Sequence, residues 1–321
     1  MGGSAGRSAR APGVGAIAVL AIAALGAGVG CGPGAPSTPG VDASPDTPDA
    51  MGPDLPQPDA RPALPATHLL ITEVALAPTD EEFIEIFNPG DDPVDLSNYY
   101  LSDVRVYSAL PGAFGGTTGP PQIDVAQADF IAQFPAGATI SAGEVQVIAM
   151  KFDTFSIGTA NYGVTGAGQT AEQMRDPSTI QLIANAPTLT NGGEGIVLFT
   201  WDGVSDLVKD VDMVHAGTPD AGNQFIAKSG ALVDGPDANP GPSAYRTDLL
   251  TLGDTGGTHS AGNSQKRIAL EDGAETQNLQ GNGIIGHDET SENLAMTWDN
   301  GSTVPFTPAD PGTVPAALRG Q

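Results

Sequence analysis

Glu82-Phe83-Ile84-Glu85-Ile86-Phe87-Asn88-Pro89-Gly90-Asp91-Asp92-Pro93 is the stretch that decides the fold. Successive side chains of a strand point to opposite faces. Ile84 and Ile86 therefore share one face, and Phe83, Glu85 and Phe87 share the other. Asn88 to Pro93 follows as dense turn chemistry, with Asn, Gly, two Asp and two Pro in six residues.

The same grammar repeats on both sides. Residues 68–76 are rich in aliphatics and suit a strand that Pro78-Thr79-Asp80 breaks. Residues 94–101 resume with Tyr99 and Tyr100. Residues 143–150, 179–183 and 194–200 read as further strands, and Trp201-Asp202-Gly203 is a hairpin turn signal. The return strand is predicted over 207–214, where Val211 and Met213 alternate with Asp210 and Asp212. Strands at 265–270 and 294–298 come last. No amphipathic helix stands out, although 126–133 and 171–175 each suit a short one. Many short strands with Gly and Asn turns indicate a sandwich or barrel.

These residues resemble the lamin-tail domain, an immunoglobulin-like β-sandwich. The resemblance is densest at residues 71–74, 82–90 and 93–103. It continues through 134–143, the hairpin from Gly193 to Asp212, residues 262–267, Thr297-Trp298 and 307–312. It implies an all-β, immunoglobulin-like β-sandwich with long loop insertions over 67–312, followed by a flexible tail at 313–321. Loops near 104–133, 151–178 and 216–261 exceed what a minimal domain needs. Long loops of this kind are where a binding surface is expected.

The N-terminus carries an address. Arg7 and Arg10 precede an apolar run of ten, Ala16 to Leu25, then small residues and Cys31. This is the layout of a secretory signal over 1–30, and the run is short for a spanning helix. The ending resembles a bacterial lipobox, with Gly28 where that pattern usually has Leu. The resemblance implies that Cys31 is lipidated and becomes the mature N-terminus. Cys31 is the chain's one cysteine, so no intramolecular disulfide is possible. Residues 32–66 hold ten Pro and five Asp and few large apolar side chains. Such a segment cannot bury enough surface to fold, and reads with Cys31 as a disordered linker over 31–66. Extended at ~3.1 Å per residue, it reaches roughly 100 Å.

Twelve Lys and Arg stand against 38 Asp and Glu, a net charge of −26. That balance excludes nonspecific binding to nucleic acid or to anionic headgroups. Its plain consequence is solubility outside the cell. With 43 Gly and 28 Pro, the composition favours a turn-rich β protein over a helical one.

Candidate chemistry is sparse. Glu85, between Phe83 and Phe87, is placed for a raised pKa, yet the resemblance implies an ordinary sandwich position paired with Lys or Arg. Residues 281–286 match G-x-G-x-x-G, but a pyrophosphate cradle needs a strand before it and a helix after it. Gln and Asn precede it and His287-Asp288-Glu289 follow, so it reads as a loop. His287, Asp288 and Glu289 are of metal-ligand type, but His68, His215 and His259 are scattered and no spacing pairs them. Asp91, Asp92, Asp95 and Asp103 offer oxygens for calcium without a twelve-residue binding loop.

The expectation is therefore a cell-envelope lipoprotein presenting a non-catalytic binding or structural module on a flexible stalk. No catalytic residue, metal ligand or cofactor is assigned. The membrane is engaged through the lipid on Cys31. The partner is an envelope protein or glycan of unknown identity, and nucleic acid is excluded. Gly32 rather than Asp after the cysteine favours the outer membrane over the inner, with free secretion as the other outcome. The competing reading is an exported hydrolase, or a calcium-dependent adhesion module, with its site in the loop insertions. Bacterial lamin-tail domains accompany secreted nucleases and phosphatases, but those enzymes carry a separate catalytic domain for which this chain has no room.

Overall fold

The computed structural model describes residues 68–114, 128–166, 171–177, 181–239, 241–257, 260–270, 280–299 and 308–318. All of them belong to the second of two units, Met1–Leu55 and Pro56–Gln321. The leader, Cys31, the linker to residue 66 and His259 lie outside the described residues. Among the described residues no helix is long and apolar enough to cross a membrane.

Fourteen strands are described: β1 (Leu70–Ala75), β2 (Phe83–Phe87), β3 (Val94–Asp95), β4 (Tyr99–Ser102), β5 (Ile131–Gln133), β6 (Thr139–Ile140), β7 (Val145–Lys151), β8 (Tyr162–Thr165), β9 (Glu172–Gln173), β10 (Gly193–Thr200), β11 (Lys209–Gly217), β12 (Leu232–Val233), β13 (Ser243–Ala244) and β14 (Gln265–Lys266). One sheet has the order β14-β1-β2-β7-β8-β9 and the other β11-β10-β4-β5; β3 pairs with β6, and β12 with β13. The fold is the expected all-β, immunoglobulin-like sandwich.

The alternation in the deciding stretch holds. Ile84 and Ile86 enter the main core with Ile148, Met150, Ile196, Leu198, Val211 and Met213. Phe83 and Phe87 point the other way, into two smaller clusters. In one, Phe83, Ala75 and Val147 pack with Phe155, Ile157 and Ala309. In the other, Phe87, Leu70 and Leu270 pack with Val314 and Leu318. Residues 313–318, read from sequence as part of a flexible tail, thus include two that lie on the outer face of the first sheet.

A one-residue slip in β1 sets which acids meet. The β1–β2 register shifts between Ile71 and Glu73. Before the slip Leu69 and Ile71 face the main core; after it Val74 and Leu76 do. An inserted residue reverses the alternation. Without it Glu73 would point into the sandwich; with it Glu73 sits opposite Glu85 on the outer face.

The insertions are partly structured. Within 104–133 lies a 3-10 segment, Tyr107–Ala113. Within 151–178, β8 and β9 extend the first sheet by parallel pairing. Within 216–261 lie β12 and β13. Of the strand expected at 179–183, the described residues 181–183 form only the isolated bridge of Ile183 to Phe130. Three further local expectations change. Residues 131–133 and 172–173, read as parts of short helices, are β5 and β9, because each completes a sheet edge. Residues 294–298, read as a strand, begin with the single helical turn α1 (Leu294–Thr297). A short apolar run does not distinguish the two by itself.

Candidate functional site

The surroundings of β11 depart most from a simple sandwich. Val211 and Met213 fill the core, yet Asp210 and Asp212 are also buried. Each is met by a cation from later in the chain. Nη2 of Arg267 donates to both oxygens of Asp212, at 2.7 and 2.8 Å. Its Nη1 donates to Glu292 at 2.7 Å and to the Leu270 carbonyl at 3.0 Å, and its Nε to the Ile71 carbonyl at 2.9 Å. The guanidinium carbon lies 5.3 Å from the Trp298 ring centroid. The Ile71 amide closes the ring of contacts by donating to Asp212 at 2.5 Å. Burial pushes both acids up, Glu292 to about 7, and Arg267 opposes the shift in each.

Lys228 does the same for Asp210. Its ammonium lies 2.8 Å from Asp210 and 3.3 Å from Asp248, all three side chains being buried. It also donates to the Tyr107 hydroxyl at 3.1 Å, and that hydroxyl donates to Asp210 at 2.5 Å. Asn282 adds a bond to Asp248 at 2.6 Å. Burial alone would lower the Lys228 pKa, but Asp210 and Asp248 raise it above the ordinary lysine value.

Two cavities of about 380 Å³ open beside this region. The first is lined by His215, Gln224, Phe225, Leu250, Leu252, Gly253 and Asp254. His215 stacks on Phe225 and makes a 2.8 Å hydrogen bond with the Gly253 carbonyl. The second is lined by Leu207 to Lys209, Ala244 to Arg246 and the loop from Gly281 to Gly286. That loop closes on itself through Gly281 N–H to Gly286 O at 3.0 Å and Gly283 N–H to His287 O at 2.9 Å. A side chain at position 281 would meet the His287 carbonyl at 1.8 Å, so glycine is required there. A short 3-10 turn, Ile284–Gly286, and an extended His287 follow, not a helix. This is the loop expected from its flanking residues. Lys209 and Arg246 are exposed at the cavity. Among the described residues, neither forms an ion pair, unlike Lys151, Lys228, Lys266 and Arg267.

His68, at the entrance to β1, meets His287 from the far end of the chain. Their ring centroids are 5.2 Å apart at 75°. Glu289 completes the group, its Oε1 3.7 Å from Nδ1 of His287. Among the described residues these three form the group of His, Asp and Glu whose ligand atoms converge, all within 4.8 Å of one another. The sequence gives no spacing for it; only the sandwich brings residue 68 to residue 287.

Residues 62–214 match the family model of the lamin tail domain. The chain carries a lamin tail domain. No curated protein matches. A solved structure of a DUF4876 family protein from Bacteroides thetaiotaomicron is similar over 80% of this chain and 74% of that one, at 17% identity and a TM-score of 0.38. That likeness is too slight to carry an argument.

The lamin tail match ends inside β11. It includes Asp210 and Asp212 but neither Lys228, Arg267, Asp248, Glu292 nor most of the lining of the two cavities. Buried ion pairs therefore join the matched sandwich to the residues that follow it.

On the opposite face of the lamin tail sandwich, Glu85 is buried, but its partners are not basic. Thr72 Oγ1 donates to it at 2.8 Å and the Gly312 amide at 2.8 Å. Burial pushes its pKa up to about 8, with Glu73 adding to the rise. Of the pair, it is Glu73 that faces a cation: Lys266 lies 3.9 Å from it and also pairs with Asp310. The expected Lys or Arg partner of Glu85 is replaced by hydrogen bonds because Lys266 sits beside Glu73.

The acidic turn residues stay apart. Asp91 and Asp92 are exposed. Asp95 is occupied by the amide and hydroxyl of Ser97, at 2.9 and 2.6 Å. Asp103 is buried and accepts from the Phe130 amide at 2.7 Å. Burial raises its pKa well above the usual range, and Glu194 adds to this.

Proposed function

We propose that this protein is a cell-envelope lipoprotein. In this reading Cys31 carries the lipid, residues 32–66 form the stalk, and the lamin tail sandwich is a non-catalytic module that binds a partner through its insertion at 216–261. One observation carries the binding reading: both cavities beside β11 draw part of their lining from that insertion. In the second, Lys209 and Arg246 offer positive charge on a protein of net charge −26. At physiological ionic strength the net charge is screened beyond about 8 Å, so the local pair governs what is held there. The partner that fits is an envelope protein or glycan presenting carboxylate or phosphate groups.

The non-catalytic reading rests on where the buried acids go. Asp210, Asp212, Asp248 and Glu292 are each held by Lys228 or Arg267. They secure added chain to the sandwich and do not converge on an open cavity.

The test is capture from envelope extracts on the immobilised mature chain. The wild type retains a partner that a Lys209→Glu/Arg246→Glu variant does not. Equal recovery by both, or none above an empty matrix, contradicts the reading.

A further inference from the structure

We infer that His68, His287 and Glu289 bind one divalent transition-metal ion, zinc by preference, which clamps the start of the sandwich to the segment 281–292. The three side chains come from two distant parts of the chain and are 6, 5 and 2% exposed. Their ligand atoms all lie within 4.8 Å of one another. Around a zinc ion with bonds of about 2.0–2.2 Å, ligand atoms sit roughly 3.3–3.6 Å apart. Rotamer adjustments of about an ångström close that gap.

The surroundings orient the ligands. Nδ1 of His68 lies 2.9 Å from the Leu69 carbonyl, which can only accept. In neutral imidazole Nδ1 then carries the proton and Nε2 presents its lone pair, the arrangement second-shell partners impose on metal-binding histidines. His287 is held by its amide on the Ile284 carbonyl and its carbonyl on the Gly283 amide, at 3.1 and 2.9 Å. Glu289 opens a 3-10 turn, Glu289–Ser291, that packs on β11. Two nitrogens and one oxygen suit zinc and its neighbours in the first transition row. Calcium and magnesium prefer oxygen alone.

The site has a mechanical use. In sequence His68 comes two residues after the Pro- and Asp-rich stretch 32–66. With a single cysteine, the chain has no disulfide to staple this junction. A metal bridging His68 to His287 and Glu289 would hold β1 in place where a stalk pulls on it.

The test uses the mature chain with Cys31→Ser, purified without chelator. Zinc content is measured by mass spectrometry after desalting, and affinity by calorimetry with zinc, calcium and magnesium. The wild-type site retains one zinc per chain, and calcium and magnesium do not displace it. Glu289→Gln weakens zinc binding by at least 10-fold, and His68→Gln and His287→Gln each by more than about 100-fold, beyond the cost of outer-shell changes. Cobalt gives a visible absorption band that the histidine variants lose. Near-ultraviolet circular dichroism verifies that each variant scored is folded; if a single variant unfolds, the wild-type stoichiometry and the remaining folded variants decide. Less than about 0.1 zinc per wild-type chain overturns the inference. So does zinc binding that is unchanged in a folded His68→Gln/His287→Gln variant.

Discussion

Arg267 gives one guanidinium nitrogen to both oxygens of Asp212, at 2.7 and 2.8 Å, and the two side chains are each 1% exposed. The aspartate lies on β11 of the lamin tail sandwich; the arginine comes 55 residues later, beyond the family match. Truncating one partner of a buried pair leaves a bare charge, at a cost of about 3–5 kcal/mol. Arg267→Ala is expected to lose that much in urea unfolding. Replacing Arg267, Asp212 and Glu292 together with apolar residues is expected to lose less than Arg267→Ala alone.

Lys228→Met leaves Asp210 and Asp248 buried without their cation. Burial already pushes the Asp210 carboxyl up, and its protonation then relieves the repulsion. The variant is expected to be less stable by about 3–5 kcal/mol at pH 7, with a smaller deficit at pH 4.5. Thermal unfolding at the two pH values checks this.

Much of the fold is legible in the sequence, and the reason is local. Ile84 and Ile86 against Phe83 and Phe87 report two buried faces of one strand within six residues. Asp210 and Asp212 do not yield in the same way. Alternation with Val211 and Met213 reads as a hairpin's return strand and does not report that the aspartates are buried, because the cations that meet them lie far along the chain. The phase reversal at Thr72 hides for a related reason: a bulge is a property of two paired strands, and residues 68–76 alone show only an aliphatic run. His68 and His287 meet through tertiary packing that no spacing rule encodes.

Stability should fall as pH rises from about 4.5 to 8. Burial raises Glu82 to about 7, and Glu85 and Glu194 to about 8, from an ordinary 4.5. A carboxyl with a raised folded pKa holds its proton more tightly in the folded state. Its contribution is complete below 4.5 and is lost as pH passes through the folded value, at up to about 1.4 kcal/mol per pH unit. Glu85→Gln, which keeps the hydrogen-bonding amide neutral, is expected to flatten the decline of the melting temperature across this window. An unchanged slope would contradict the assignment.

Leu318 packs with Leu70 and Phe87 at 3% exposure. Leu318→Ala is therefore expected to cost up to about 2–5 kcal/mol, with the lower end favoured near a chain terminus. Urea unfolding decides; a change within 0.5 kcal/mol, about what an ordinary surface position gives, would mean that residues 313–318 do not stabilise the sandwich.

The functional reading depends on tethering, and tethering depends on Cys31. Mass spectrometry of the N-terminal peptide of the mature protein, isolated from membranes of the native host, tests it directly. The expected result is a chain that begins at Cys31 and carries acyl mass on that residue. An unmodified terminus elsewhere, or an intact leader, would contradict the account.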